Sequence, residues 1–222
     1  RLMSRGLGDV YKRQAYSVIE VSDPKRKKAL AELCADQVQI HQSPTFLVFC
    51  ADLNRDRLAG QLHGVENFDT DYVEALLIAT VDAALVLQNV ALAAESHGLG
   101  ICMIGAIRIH PKAVGKLLNL PPLVYAVAGL CLGYPAKDQQ QKPRLPLETI
   151  LHHERYLEDD QQINHIKGYD QTMVEFYSSQ AMHDKDPRWS KVMAARTARF
   201  HERAELDEYL SDQGFHFKSS TP

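Results

Sequence analysis

Apolar runs of two kinds punctuate the chain from residue 15 onward. AYSVIEV (15–21) is rich in β-branched and aromatic residues and predicts a strand. TFLVFCAD (45–52) is continuously apolar but too short for a typical helix, so it predicts a strand buried on both faces. ICMIGAI (101–107) and LVYAVAGLCLG (123–133) have the same character. Helical patterns lie between them. Ser22 or Asp23 is placed to cap a helix with Pro24 at its tolerated first position and KRKKALAELC behind it, and HPKAVGKLLNL carries Pro111 near its start. This alternation argues an α/β (α+β) class built on a mixed central sheet flanked by helices.

The longest pattern, Asp71 to His97, is apolar on nearly every face and predicts a helix roughly 40 Å long. Such a helix must be buried all round. A membrane span is opposed by Asp82, which costs about 2.5–3.5 kcal/mol at a span centre, and by the helix-ending Gly98 and Gly100. The expectation is therefore a long central helix buried between the sheet and a second subunit, and so a homodimer. Beyond Tyr156 the chain turns polar. It predicts a helix over 169–180, a charged loop over 181–188 and a final helix from about Trp189 to Leu210 closed by Gly214. Lacking apolar runs for a core of its own, this extension from about residue 157 is expected to wrap the main domain or its partner. Residues 1–13 show neither period and read as a non-native leader, leaving 14–222 as the folded domain.

Charge and cysteine content narrow the class. A formal charge of −3 provides no net drive toward nucleic acid or an acidic membrane, so any anion must be held locally. Cys34, Cys50, Cys102 and Cys131 lie far apart with no CxxC pair, and three of them sit in apolar runs, which fits a reducing cytoplasm. No apolar stretch of a signal peptide follows the basic N-terminal residues.

Few motifs carry chemistry. GLGICMIG (98–105) is not GxGxxG and follows a helix instead of opening one, so a dinucleotide fingerprint fails its context, and Gly98 and Gly100 read as a helix end. Gly105, after a strand run, allows close backbone approach with its N–H toward a ligand. His152, His153 and Glu154 are adjacent and point apart, so no metal site is expected. Neither GxSxG nor a P-loop occurs. Lys142 and Arg144 flank Pro143, an ammonium and a guanidinium held close by a rigid residue. That pair suits a phosphate monoester, and a solvated surface turn is the alternative.

FLVFCADLNR (46–55), VDAALVLQNVALAAESHGLGICMIGAIR (81–108), GLCLGYPAKDQQQKPRLP (129–146) and WS (189–190) together resemble the oxygen-insensitive NADPH nitroreductase and flavin reductase family. The likeness runs in order from Gln14 to the end. It implies the nitroreductase fold, a homodimer, FMN as cofactor and NADPH or NADH as donor. By the same resemblance Lys142, Pro143 and Arg144 match positions at the FMN phosphate, and Gln37 matches a flavin-contacting glutamine. Met103, Ile104, Gly105 and Ala106 match the segment whose backbone lies along the isoalloxazine ring. The implied reaction is a ping-pong hydride transfer to a nitroaromatic, quinone or free flavin, with no catalytic side chain. Three departures accompany the likeness. The family's basic, hydroxyl-bearing phosphate segment at the N-terminus has no counterpart, so the alternative is a truncated fragment that dimerises without retaining FMN. Ala106 stands where a second glycine is common. Gln180 and Asp186 stand where arginines are expected for the NADPH 2′-phosphate, leaving Lys185 and Arg188 as the cations for that substrate group.

Overall fold

A four-stranded sheet carries the architecture in the computed structural model, which describes residues 13–65, 67–136, 140–180 and 186–216. Residues 1–12 of the expected leader lie outside the described residues, as does Lys185. Two units are distinguished, residues 1–136 with 203–222, and residues 137–202.

In the first unit the strands are β1 (Tyr16–Val21), β2 (Thr45–Asp52), β3 (Gly100–Ile104) and β4 (Val124–Gly133), in the order β1-β2-β4-β3. The expectation of a mixed sheet is corrected here: all three pairings among the described residues are antiparallel. A single helical pass between strands makes them parallel. Instead, β1 and β2 are separated by two helices, α1 (Pro24–Leu33) and α2 (Val38–Gln42). A 3-10 turn (Gly105–Arg108) and the short α5 (Pro111–Leu118) separate β3 from β4. Both of these connections return the chain to the end of the sheet it left. Helices α3 (Asn54–Leu62) and α4 (Val73–Ser96) lie between β2 and β3.

The sheet is covered on both faces. On one, Phe46, Val48, Cys50, Val124, Ala126 and Cys131 pack with Leu30 and Ala31 of α1 and Val114 of α5. On the other, Ala51, Tyr125 and Val127 meet Ala79 and Ala83 of α4, while Phe49 and Leu130 meet its Val86 and Leu87. Tyr209 and Leu210 belong to the same cluster as Tyr125, supplied by a helix at Glu205–Asp212. Fully burying a side chain such as Phe46 or Phe49 stabilises by roughly 1.5–3 kcal/mol. The register slips between Phe49 and Cys50, so that Ala128 and Ala126 are paired and Val127 between them is not. That bulge explains why Cys131 and Ala126, five positions apart, face the same cluster.

Capping follows the chemistry of the residues. Asp23 accepts from the Arg26 N–H at 2.8 Å, with Pro24 at the start of α1. Gly98, with φ of 75°, follows the end of α4 in the left-handed region. Asp82, inside α4, accepts the Ala15 N–H at 2.9 Å and fastens the start of β1. Within this chain α4 buries one face only: Val73, Leu77, Val81, Leu85 and Leu92 remain exposed.

In the second unit, α6 (Leu147–Ile150), α7 (Asp159–Ser179) and α8 (Trp189–Thr197) follow a segment without regular structure. The rings of Tyr169 and Trp189 meet edge to face at 6.0 Å, and Asp170 accepts from the Ser190 backbone N–H at 2.8 Å and hydroxyl at 2.5 Å. The single final helix expected from Trp189 is broken into α8, a 3-10 turn (Phe200–Arg203) and α9 (Glu205–Asp212). Gly214 follows with φ of 94°.

Candidate functional site

Gln37, Met103, Ile104, Gly105 and Ala106 fall in the first unit, and Lys142, Pro143, Arg144 and Arg188 in the second.

Met103 and Ile104 end β3, paired with Leu130 and Gly129. Strand alternation turns Ile104 into the core with no exposure, while Met103 is 48% exposed on the other side. Ile104 is locked by its surroundings, since Gly129 has room only for hydrogen: a Cβ there would lie 2.3 Å from the Phe46 ring and 3.3 Å from the Ile104 Cβ. The strand expected over 101–107 stops at Ile104, because Gly105–Arg108 winds into a 3-10 turn. The leading N–H groups of such a turn lack partners inside it. A Cβ at Gly105 would touch only the Arg108 guanidinium at 3.6 Å, so the chain itself leaves this backbone uncovered. Ala106 is buried and is not among the residues with positive φ, so its methyl group is accommodated without strain.

Two arginines that sequence reasoning did not assign surround this turn. Arg108 donates to the carbonyl of Val127, the residue left unpaired by the bulge. Arg203 donates to the Gly105 carbonyl at 3.5 Å. Burial lowers the Arg108 pKa, and the neighbouring Arg203 charge lowers it further. Arg108 was within the quoted GAIR segment, but Arg203 lies 98 positions from Gly105 and no local pattern connects them.

Gln37 precedes α2 and is half-buried. Its approach is unusual: Ala35 and Asp36 have φ of 61° and 49°, a left-handed pair that reverses the chain after α1. Asp36 is tied to the His41 ring nitrogen at 2.7 Å.

The segment holding Lys142 to Arg144 is positioned by α7. The Tyr169 hydroxyl donates to the Pro143 carbonyl at 2.8 Å, and the Lys142 ammonium stands 5.7 Å from the centre of the Tyr177 ring, a cation–π distance. Both cations are exposed, and among the described residues neither is paired with a carboxylate. Arg188 differs. Asp186 takes its Nε at 2.9 Å and its Nη2 at 2.5 Å, and also accepts from Lys191 at 3.0 Å. Those bonds hold the Asp186 carboxyl far below the usual carboxylate range and raise the Arg188 pKa. Arg188 is thus already paired, where the resemblance implied a cation open to phosphate. No metal-holding group of His, Cys, Asp or Glu occurs among the described residues.

In the second unit the Lys142 and Arg144 cations about Pro143, without a carboxylate partner among the described residues, have the chemistry of a phosphate site; in the first unit Arg108 and Arg203 lie beside the Gly105 turn.

Residues 9–134 match the Nitroreductase family and residues 142–218 the Nitroreductase family, C-terminal domain. The chain is 39% identical over 203 residues to an FMN reductase [NAD(P)H] of Bacillus subtilis, covering 91% of this chain and 81% of the relative. It is 36% identical over 202 residues to an oxygen-insensitive NADPH nitroreductase of Salmonella typhimurium, covering 91% and 81%. The solved structure of the hypothetical oxidoreductase YcnD from Bacillus subtilis superposes with a TM-score of 0.92 at 37% identity, covering 96% of this chain and 86% of the other. Sequence and fold agree, and the chain belongs to the nitroreductase family.

Proposed function

We propose that this chain is an FMN-dependent NAD(P)H oxidoreductase that reduces nitroaromatics, quinones or free flavin, acting as a homodimer in the cytoplasm. The observation that carries the reading is the pair of cations about Pro143, exposed and without a carboxylate partner among the described residues, in a chain whose relatives include an FMN reductase and an NADPH nitroreductase. Lys142 and Arg144 would hold the phosphate monoester, one as a point charge and the other as a planar fork. The Gln37 amide and the N–H groups of Gly105 and Ala106 would meet the polar edge of the ring system, and Met103 and Ile104 belong to the same ring-facing segment. When bound, FMN supplies the two-electron chemistry that accepts hydride from NAD(P)H and delivers it to the second substrate. The side chains bind, orient and set the field: Arg108 and Arg203 place positive charge beside the Gly105 turn, where negative charge on a reduced ring is favoured. No side chain is assigned a covalent role.

Lys185 and Arg188 remain the candidates for the NADPH 2′-phosphate. Arg188 engages it by leaving Asp186, which reduces the preference for NADPH over NADH. Dimerisation is supported by the exposed stripe on α4, where Val73, Leu77, Val81 and Leu85 recur at four-residue steps. Four free cysteines support a reducing compartment. Purified protein should be yellow, or become so with FMN, and should bleach on adding NADPH or NADH. A protein that stays colourless in excess FMN overturns the proposal in favour of a fragment that does not retain the cofactor.

A further inference from the structure

Four thiols line the α1 face of the sheet, Cys50 of β2 among them. Cys131 of β4 and Cys34, which ends α1, are buried in one cluster, and the half-buried Cys102 of β3 packs against it. Cys102 and Cys131 are direct partners in the β3–β4 register, so their side chains project from the same face. Directly opposed antiparallel residues have Cα atoms about 4.5–5.5 Å apart, within the ~4.4–6.8 Å that a disulfide spans, so the register places the two thiols within bridging range. All four cysteines are free.

The surroundings divide the roles. Cys102 is the more accessible of the two partners, Cys131 being 4% exposed, although burial raises the Cys102 thiol pKa as well. Burial pushes the Cys131 thiol up to about 11, opposed by the neighbouring Ser43 side chain and by the Lys27 charge. The Lys27 ammonium is fixed there by the Ser43 carbonyl. Cys34 is wholly buried, pushed up to about 12, and has no strand partner.

We propose that Cys102 and Cys131 form a reversible cross-strand disulfide when the protein meets a hydroperoxide. The Cys102 thiolate attacks a peroxide oxygen and the O–O bond breaks, leaving a sulfenic acid on Cys102 and, from hydrogen peroxide with the thiol proton, one water. The Cys131 sulfur then attacks the Cys102 sulfur. The S–O bond breaks, and hydroxide leaves with the Cys131 proton as a second water. Two thiols lose two electrons, and the peroxide gains them. Ser43 and Lys27 assist by favouring the attacking thiolate of Cys131, while Cys34 stays reduced. The bond staples β3 to β4 next to Met103–Ala106. Any effect on cofactor binding rests on the FMN reading, but formation of the bond does not.

The test treats the full-length protein with hydrogen peroxide, blocks remaining thiols by alkylation and maps peptides without reduction. The expected result is a loss of two hydrogen atoms from the intact mass, a Cys102–Cys131 linked peptide, and full reversal by dithiothreitol. The Cys34→Ser variant should retain the link and Cys102→Ser should lose it. Because the peptide map is read on the parent protein, a variant that fails to fold does not spoil the result. Alkylation of both Cys102 and Cys131 after peroxide, a link from Cys34 to Cys131, or sulfinic acid on Cys102 without a link would each overturn the proposal. Failure of FMN binding alone leaves the mapped bond intact, so the two proposals fail separately.

Discussion

The two regions assigned to the cofactor are held by opposite means. The turn after β3 is anchored through Ile104, which is completely buried against Phe46 and the bare Cα of Gly129. The Lys142–Arg144 segment has no regular structure, and among the described residues a phenol hydrogen bond and an aromatic ring hold it. Packing sets the first to within a fraction of a methyl group, whereas the second retains freedom to adjust. The difference suits the tasks proposed for them: a planar ring needs a pre-shaped wall, and a phosphate needs charge that can follow it.

The largest effect that separates the two regions should come from Lys142→Ala combined with Arg144→Ala. Charge-assisted hydrogen bonds contribute about 1.5–3 kcal/mol each, so FMN affinity should fall by roughly 10²–10⁴-fold, read by flavin fluorescence titration. The melting temperature of the flavin-free protein should hardly change. Unchanged affinity would remove the phosphate assignment.

Gly129→Ala attacks the rigid region. Its new methyl collides with Phe46, so stability should drop by about 1–3 kcal/mol in urea unfolding. A smaller change would mean the Phe46 ring can move aside, and the contrast drawn here would weaken. Tyr169→Phe removes only the tether on Pro143, costing ~0.5–1.5 kcal/mol, so FMN affinity should fall about two- to tenfold. Ala35→Gly relieves a left-handed alanine and should raise stability by ~0.5–1 kcal/mol. The smallest effect is expected from Asp186→Ala, which frees Arg188 and should lower the NADPH requirement relative to NADH by about threefold, the effect fading in high salt.

Where local chemistry decides the structure, the sequence is readable. TFLVFCAD coincides with β2, Asp23 caps α1 as its side chain demands, and Gly98 closes α4. Other elements depend on information spread along the chain. Strand direction depends on the end of the sheet to which each connection returns, which apolar periodicity does not encode. The start of α7 at Asp159 is hidden by the polar DDQQ stretch, although acidic residues at a helix N-terminus are favourable. Helix α3 and α2 are likewise too polar or too short to register as apolar patterns. The Lys142 and Arg144 pair is visible because its members are neighbours. The contact of Arg203 with the Gly105 carbonyl is not, because folding alone brings them together.

The extra residue at Val127 carries a lesson for anyone aligning or recombining these chains. On either side of it, β4 follows opposite odd–even rules for which side chains face α1 and which face α4. A splice that shortens the strand by that one position would exchange the inward and outward sets over Val124–Ala126 and strip the Arg108 guanidinium of its carbonyl. Chimeras should therefore place their junctions outside β4, or carry the whole strand together with the turn that leans on it.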